Sequence, residues 1–345
     1  MNLVCRFPVP VICFLSLSSC QWERPAQVHE FTGLTMGTTW SVLVNAGELP
    51  VTRRQLQTEF NAILDRVNMA MSSYLPESEL SRINDTDSTG RLTVSASLLR
   101  VLQAAQEISR TTQGAFDVTI GPLVNLWGFG PEQDFTVPGE QQVNNARRLV
   151  GYDKLHLDAA APALKKAHGG MYIDLSAIAK GFAVDEIAGY LDRLQLDNYL
   201  VEIGGEIRAR GVNDKNKPWQ IGIENPATGQ RTVRSIIKLE NMAMATSGDY
   251  RNYFEKDGSS YSHTIDPRTG RPVTHGLASV TVLHPSAMLA AAWATALLVL
   301  GPERGFEVAR NNGLAVYFII HTDTGFNDEF TLGFEPYLVA ERIKI

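Results

Sequence analysis

Strand-like runs and helix-like runs are interleaved along this chain without strict alternation, and that order limits the folds open to it. The strand-like runs are WSVLVN at 40–45, NYLVEI at 198–203, WQIGIE at 219–224, SIIKLE at 235–240, ASVTVL at 278–283 and AVYFII at 315–320. Apolar residues at three-and-four spacing predict amphipathic helices at 53–69 (Leu56, Phe60, Ile63, Leu64, Val67) and 96–110 (Leu98, Leu99, Leu102, Ala105, Ile108). The same spacing predicts helices at 176–194, 286–300 and 302–312, and turn-rich breaks fall at 128–140 and 211–218. A simple doubly wound parallel sheet would alternate strictly, so the expectation is a mixed α/β (α+β) fold with packed helices.

The chain has 345 residues, enough for a sizeable core. Its 44% hydrophobic and 20% charged content exclude extensive disorder. A net charge of −6 and the absence of any basic run argue against a nucleic-acid surface.

The first residues differ from the rest. Arg6 is followed by FPVPVICFLSLSSC, too short to span a bilayer as a permanent helix, and this reads as a secretory signal. LSSC, Leu17 to Cys20, resembles the lipobox at which bacterial lipoproteins are cleaved and lipidated on the cysteine. Cys5, Cys13 and Cys20 are the only cysteines, so the mature body holds no disulfide, thiolate metal site or cysteine nucleophile. The expected organisation is a signal peptide at 1–19, a tether at 20–30 lipidated on Cys20, and one domain at 31–345. Gln21 after the cysteine favours an outer-membrane destination, on the periplasmic side.

Phosphate-loop, dinucleotide, zinc-protease and nucleophile-elbow signatures are all absent. Several polar clusters remain that a fold alone does not require. They are TMGTTWSV from Thr35, MSSYLPESELSRIN from Met71, GAFDVTIGPLVNLWGFG from Gly114 and IDLSAIAKGFAVDEIAGYL from Ile173. VEIGGEIRARG from Val201 and MATSGDYRNYFEKDGSSYSHTIDPRTGRPV from Met244 complete the set. In the fourth, Ser176 reads as the N-cap of a helix whose free N–H groups favour an anion.

In this order the clusters resemble the FAD:protein FMN transferase (ApbE) family of bacterial flavin-attaching lipoproteins, from about Thr35 to Gly301. The matching motifs are T-M-G-T, A-F-D-x-T-x-G-P-L, D-L-S-x-x-A-K-G, E-I-G-G-E, A-T-S-G-x-Y-R-N and S-H-x-I-D-P-x-T-G-x-P. The resemblance implies a fold related to the tunnelling fold, with antiparallel sheet and packed helices. It implies that the chain cleaves FAD, joins FMN through its phosphate to a Thr or Ser hydroxyl of a target protein, and releases AMP. Implied acceptors are subunits of Nqr- and Rnf-type membrane redox complexes, with a motif like S/D-G-A-T/S.

Carried over position by position, Met36, Tyr74, Ala115, Phe116, Asp117, Asp174, Lys180 and Ile265 match cofactor-contacting positions. Ser247 and Gly248 look like a phosphate-approach loop, where a glycine lets the backbone near an anion. The resemblance places a divalent ion, usually Mg2+, at Ala177, Ala291 and Thr295. A hard cation with oxygen ligands neutralises a pyrophosphate under attack. A protein hydroxyl is a weak nucleophile near neutral pH, and His263 is the expected base, its ordinary pKa lying near working pH. Asp266 is expected to brace the turn beside it.

One position departs from the family pattern. Members commonly carry an acid one turn before the threonine, where this chain has Ala291 before Thr295. Residues four apart share a helix face, so a metal ligand is missing and weaker metal binding with impaired turnover is expected. The alternatives are an FAD pyrophosphatase producing FMN and AMP, and a non-catalytic FAD-binding lipoprotein.

Overall fold

The structure is a computed structural model that describes residues 27–132, 134–226, 232–248, 253–256 and 259–339. The leader with Cys20 and Gln21, and Arg251 of the A-T-S-G-x-Y-R-N motif, lie outside the described residues.

An antiparallel sheet forms the centre. Its eight strands run, in spatial order, Gln27–Thr35, Thr38–Ala46, Tyr199–Ile203, Glu206–Arg210, Met242–Gly248, Leu277–His284, Ala315–Thr322 and Gly325–Phe330. Every ladder among the described strands is antiparallel, and the parallel component shrinks to an isolated bridge between Ile120 and Tyr172. The mixed α/β expectation stands, as an α+β arrangement. Two boundaries move. Gln27–Glu30, read as the end of a tether, begin the edge strand and pair with Leu43–Ala46. The two glycines of E-I-G-G-E are a hairpin turn, Gly204 at φ 57° and Gly205 at φ 98°, where a side chain would be strained.

Among the described residues the α-helices are α1 (Arg53–Met71), α2 (Glu79–Asp85), α3 (Ala96–Thr111), α4 (Gly121–Leu126), α5 (Glu140–Arg147), α6 (Ala179–Arg193) and α7 (Ala287–Asn311). The helices expected at 286–300 and 302–312 are the two halves of α7, broken at Gly301 (φ 78°) ahead of Pro302. Ser176 does not cap α6. Its N–H is taken by the Asp174 carboxylate at 2.8 Å, and the helix begins after Ile178 with no side-chain cap.

Period-two alternation sends strand residues to opposite faces. Trp40, Val42, Val201, Val280 and Phe318 join α1, α3, α6 and α7 in the main core. Leu200, Ala209, Met244 and Ile319 face the other way, against Trp219, Ile223 and Ile237 of the ribbon Trp219–Glu224 and Val233–Leu239. A third, small core of Leu123, Trp127, Val143, Val150 and Ile265 holds α4 and α5 to the D-P-R-T-G turn, with the Trp127 indole donating to the Gly270 carbonyl at 2.9 Å. Among the described residues, no helix is long and apolar enough to cross a membrane.

Candidate active site

The three cores meet around a cavity of about 570 Å³. The main core lends it Phe116, Val118, Ala245 and Ala291, the ribbon side lends Ile207 and Met244, and the small core lends Ile265. Such a seam between packed units, apolar with a few convergent polar groups, is the usual setting of a small-molecule site.

Two segments of the lining are held by side chains, a buried carboxylate and a half-buried amide. Asp117 follows the tight turn after α3, and its oxygens accept from the Thr119 N–H (2.8 Å), the Thr119 hydroxyl (2.7 Å) and the Tyr152 N–H (2.7 Å). Burial pushes its pKa up against these hydrogen bonds. Asp117 thus lines the cavity while its carboxylate shapes the Ala115–Val118 loop. Asn84 of α2 binds both backbone groups of Ile173, at 2.8 and 2.9 Å, and so delivers Asp174 to the cavity wall.

Tyr74 and Met36 do not line the cavity. Tyr74 is exposed, and its phenol is held above its ordinary pKa, mainly by partial burial and then by the nearby Asp174 charge. Met36 occupies the tip of the first hairpin at φ 48° and packs against the main core.

Lys180 and Glu206 form the charged wall. The Lys180 ammonium lies 2.8 and 2.9 Å from the two Glu206 oxygens, joining the first turn of α6 to the Glu206–Arg210 strand. Burial raises the Glu206 pKa, and the Lys180 charge opposes the rise. Also in the lining, Ser247 at the end of its strand and Thr295 on α7 share a hydrogen bond of 3.0 Å between hydroxyls. Gly248, Ala177, Ala291 and His263 line the same space. The His263 ring stands edge-on to Phe129, with centroids 6.3 Å apart and planes at 70°. Asp266 is bound within its own turn, accepting from the Arg268 N–H and guanidinium at 2.8–2.9 Å.

The α7 wall does not fit a tightly held divalent cation. Such an ion wants charged oxygen donors, whereas Ala291 offers a methyl group and Thr295 a neutral hydroxyl already paired with Ser247. Among the described residues, no group of three or more His, Cys, Asp or Glu side chains could hold a metal.

Thr246, the first residue of the T-S-G segment read as a phosphate-approach loop, lines the cavity with Ser247 and Gly248, and so does Glu206, the last residue of E-I-G-G-E, for which the motif alone indicates no role. Ile221 and Gly222 of the ribbon also line it and carry no signal beyond strand pattern.

The ApbE family model matches residues 36–318. The FAD:protein FMN transferase of Haemophilus influenzae is 48% identical over 324 residues, covering 92% of this chain and 93% of that protein. The Vibrio cholerae protein of the same name is 45% identical over 331 residues, covering 96% and 98%. Among solved structures, the flavin transferase ApbE from Vibrio cholerae superposes with a TM-score of 0.84 at 44% identity, covering 91% of this chain and all of that one. The Pseudomonas stutzeri flavinyl transferase ApbE, in its apo form, gives a TM-score of 0.83 at 39% identity, covering 92% and 98%.

Proposed function

The chain belongs to the ApbE family, and from that premise we propose how its cavity carries out flavin transfer from FAD to protein. The observation that carries the reading is convergence: segments spread from Ala115 to Thr295 meet on one seam around a cavity of about 570 Å³, within the usual range for a small-molecule site.

The reaction breaks the bond between the FMN phosphorus and the bridging oxygen of the pyrophosphate. It forms a bond from that phosphorus to a Ser or Thr hydroxyl oxygen of the acceptor, and AMP leaves with the bridging oxygen. The hydroxyl proton goes to His263. Phosphoryl transfer rests chiefly on positioning and charge stabilisation, so the Ser247 and Thr295 hydroxyls are placed to donate to phosphate oxygens. Lys180, held in place by Glu206, supplies positive charge at the cavity wall. Apolar side chains from the three cores receive the flat rings.

A Mg2+ ion, implied by the family resemblance, would lie at Ala177 and Thr295, where the donor set lacks a carboxylate. Without that carboxylate, turnover is slowed at this wall. The acceptor is read as a flavoprotein of the Nqr or Rnf type bearing an S/D-G-A-T/S-like motif. The leader ending in LSSC supports lipid anchoring through Cys20 on the periplasmic side of a bacterial membrane, and Gln21 favours the outer one.

The test incubates the mature protein with FAD, Mg2+ and an acceptor-motif protein, beside an Ala291→Asp version, following AMP release and in-gel flavin fluorescence. Flavin on the acceptor in either version supports transfer. AMP without labelled acceptor makes the chain an FAD pyrophosphatase, and bound FAD with no AMP in either makes it a non-catalytic binder. Both of the last results overturn the reading.

A further inference from the structure

Asp185 lies on α6, away from the cavity lining, and its side chain is 5% exposed. Its carboxylate reaches into the start of α7. One oxygen accepts from the Ala287 N–H at 3.0 Å and from the Arg208 guanidinium at 2.8 Å. The other accepts from the Ser286 hydroxyl at 2.6 Å and the Met288 N–H at 3.1 Å. Ser286 in turn accepts from the Leu289 N–H with its hydroxyl and from the Ala290 N–H with its carbonyl. The N–H groups that a helix start leaves unpaired are therefore all satisfied, two of them by a side chain from another helix.

The same carboxylate is the middle rung of a charge ladder. Glu206, Arg208 and Arg210 alternate along one strand face and pair with Lys180, Asp185 and Asp192 of α6. The Asp185 rung is the one hydrogen-bonded to the start of α7, and Arg208 also lies 3.9 Å from Asp192 in the next rung. Gly181, between Lys180 and Asp185, lies so close that a Cβ there would stand 2.3 Å from the Ala287 carbonyl oxygen.

From these contacts we infer that Asp185 is a positioning residue for flavin transfer: it sets the axial register of α7 against α6 and the Glu206–Arg210 strand. Thr295 lies two helical turns, about 10 Å, beyond Met288, so a slip at the cap is carried to the hydroxyl facing Ser247. Lys180 on α6 and Thr295 on α7, both lining the cavity, are thereby tied to one spacing through a junction that includes this carboxylate. Helix macrodipole and charge-assisted hydrogen bonds both favour an anion at this junction.

The inference rests on the flavin-transfer reading, and the test separates the two. Asp185→Asn and Ser286→Ala, each weakening the junction, are compared with Asp192→Asn, which breaks a rung that does not touch α7. Asp185→Asn is expected to lower the transfer rate about tenfold to a hundredfold while KM for FAD moves less than about threefold. Ser286→Ala follows in the same direction, and Asp192→Asn keeps the parent rate. Independently of turnover, hydrogen exchange followed by mass spectrometry should show FAD protecting the Thr295-bearing peptide in the parent and in Asp192→Asn. That added protection should be lost in Asp185→Asn and reduced in Ser286→Ala. Equal rates and equal FAD protection in Asp185→Asn and Asp192→Asn overturn the inference. Failure to label an acceptor both in the parent and in Ala291→Asp overturns the transfer reading instead, and the exchange comparison still decides the role of Asp185.

Discussion

The hydroxyls of Ser247 and Thr295 lie 3.0 Å apart, although one ends a strand of the central sheet and the other sits in the middle of α7. Each can donate or accept, so the pair can open toward an anion without leaving an unsatisfied group. In the proposed reaction the pair would therefore turn toward a phosphate at low cost of rearrangement.

Thr295→Val removes one hydroxyl at nearly constant volume. The fold should lose only about 1 kcal/mol, the worth of one hydrogen bond, while FAD cleavage falls much further. Urea unfolding and AMP release check this together. Equal proportional losses in both would assign the pair to folding alone.

Glu206→Gln tests the charged wall through pH. Burial raises the folded pKa of Glu206 above its ordinary value despite Lys180. Between the unfolded and folded values the native state therefore binds more protons than the unfolded chain, and stability falls as pH rises. The parent should gain stability relative to Glu206→Gln as pH drops through that window, and the difference should be flat above it. Denaturation midpoints at several pH values give the slope. The opposite sign would mean that the attraction of Lys180 outweighs burial.

Ala291→Asp places a carboxylate at a position that is 4% exposed, one turn before Thr295. Without divalent ions it should destabilise the fold by about 1–3 kcal/mol, the cost of a buried polar group lacking partners. Mg2+ should then raise its melting temperature well beyond any shift in the parent, by linkage of binding to folding. Identical Mg2+ shifts in both proteins would refute the site.

Gly181→Ala sets two effects against each other. Alanine favours helix over glycine by about 1 kcal/mol, but the new Cβ would meet the Ala287 carbonyl oxygen at 2.3 Å. Overpacking against backbone costs about 1–3 kcal/mol or more, so net destabilisation is expected. A stabilised variant in chemical denaturation would show that α6 and α7 part easily.

Much of this was legible in the sequence, and for identifiable reasons. The helices with clean three-and-four spacing, α1 and α3, fall within two residues of expectation. The first edge strand was missed because only Phe31 and Thr35 of Gln27–Thr35 are buried, leaving little periodicity to read. Ser247, Thr295, Lys180 and His263 could each be picked out from local motifs. That Lys180 pairs with Glu206 could not, because sequence alternation identifies a charged strand face but not the helix it meets. Ser176 carries the N-cap signal but falls short of the helix: its own N–H goes to Asp174, the Ile178 and Ala179 N–H groups go to the Leu175 carbonyl, and α6 starts after Ile178. Tyr74 and Met36 carry motif signal, yet the fold sets them outside the lining.

The cavity's place at the meeting of three separately packed cores ties the protein's endurance to its substrate. A ligand that touches all three adds about 2.7 kcal/mol to native stability when present at a hundred times its Kd, and it does so where the units are joined. Occupied, the chain should resist proteases as one body. Starved of FAD, it should first yield along that seam, so the supply of flavin would govern how long each copy survives as well as how fast it works.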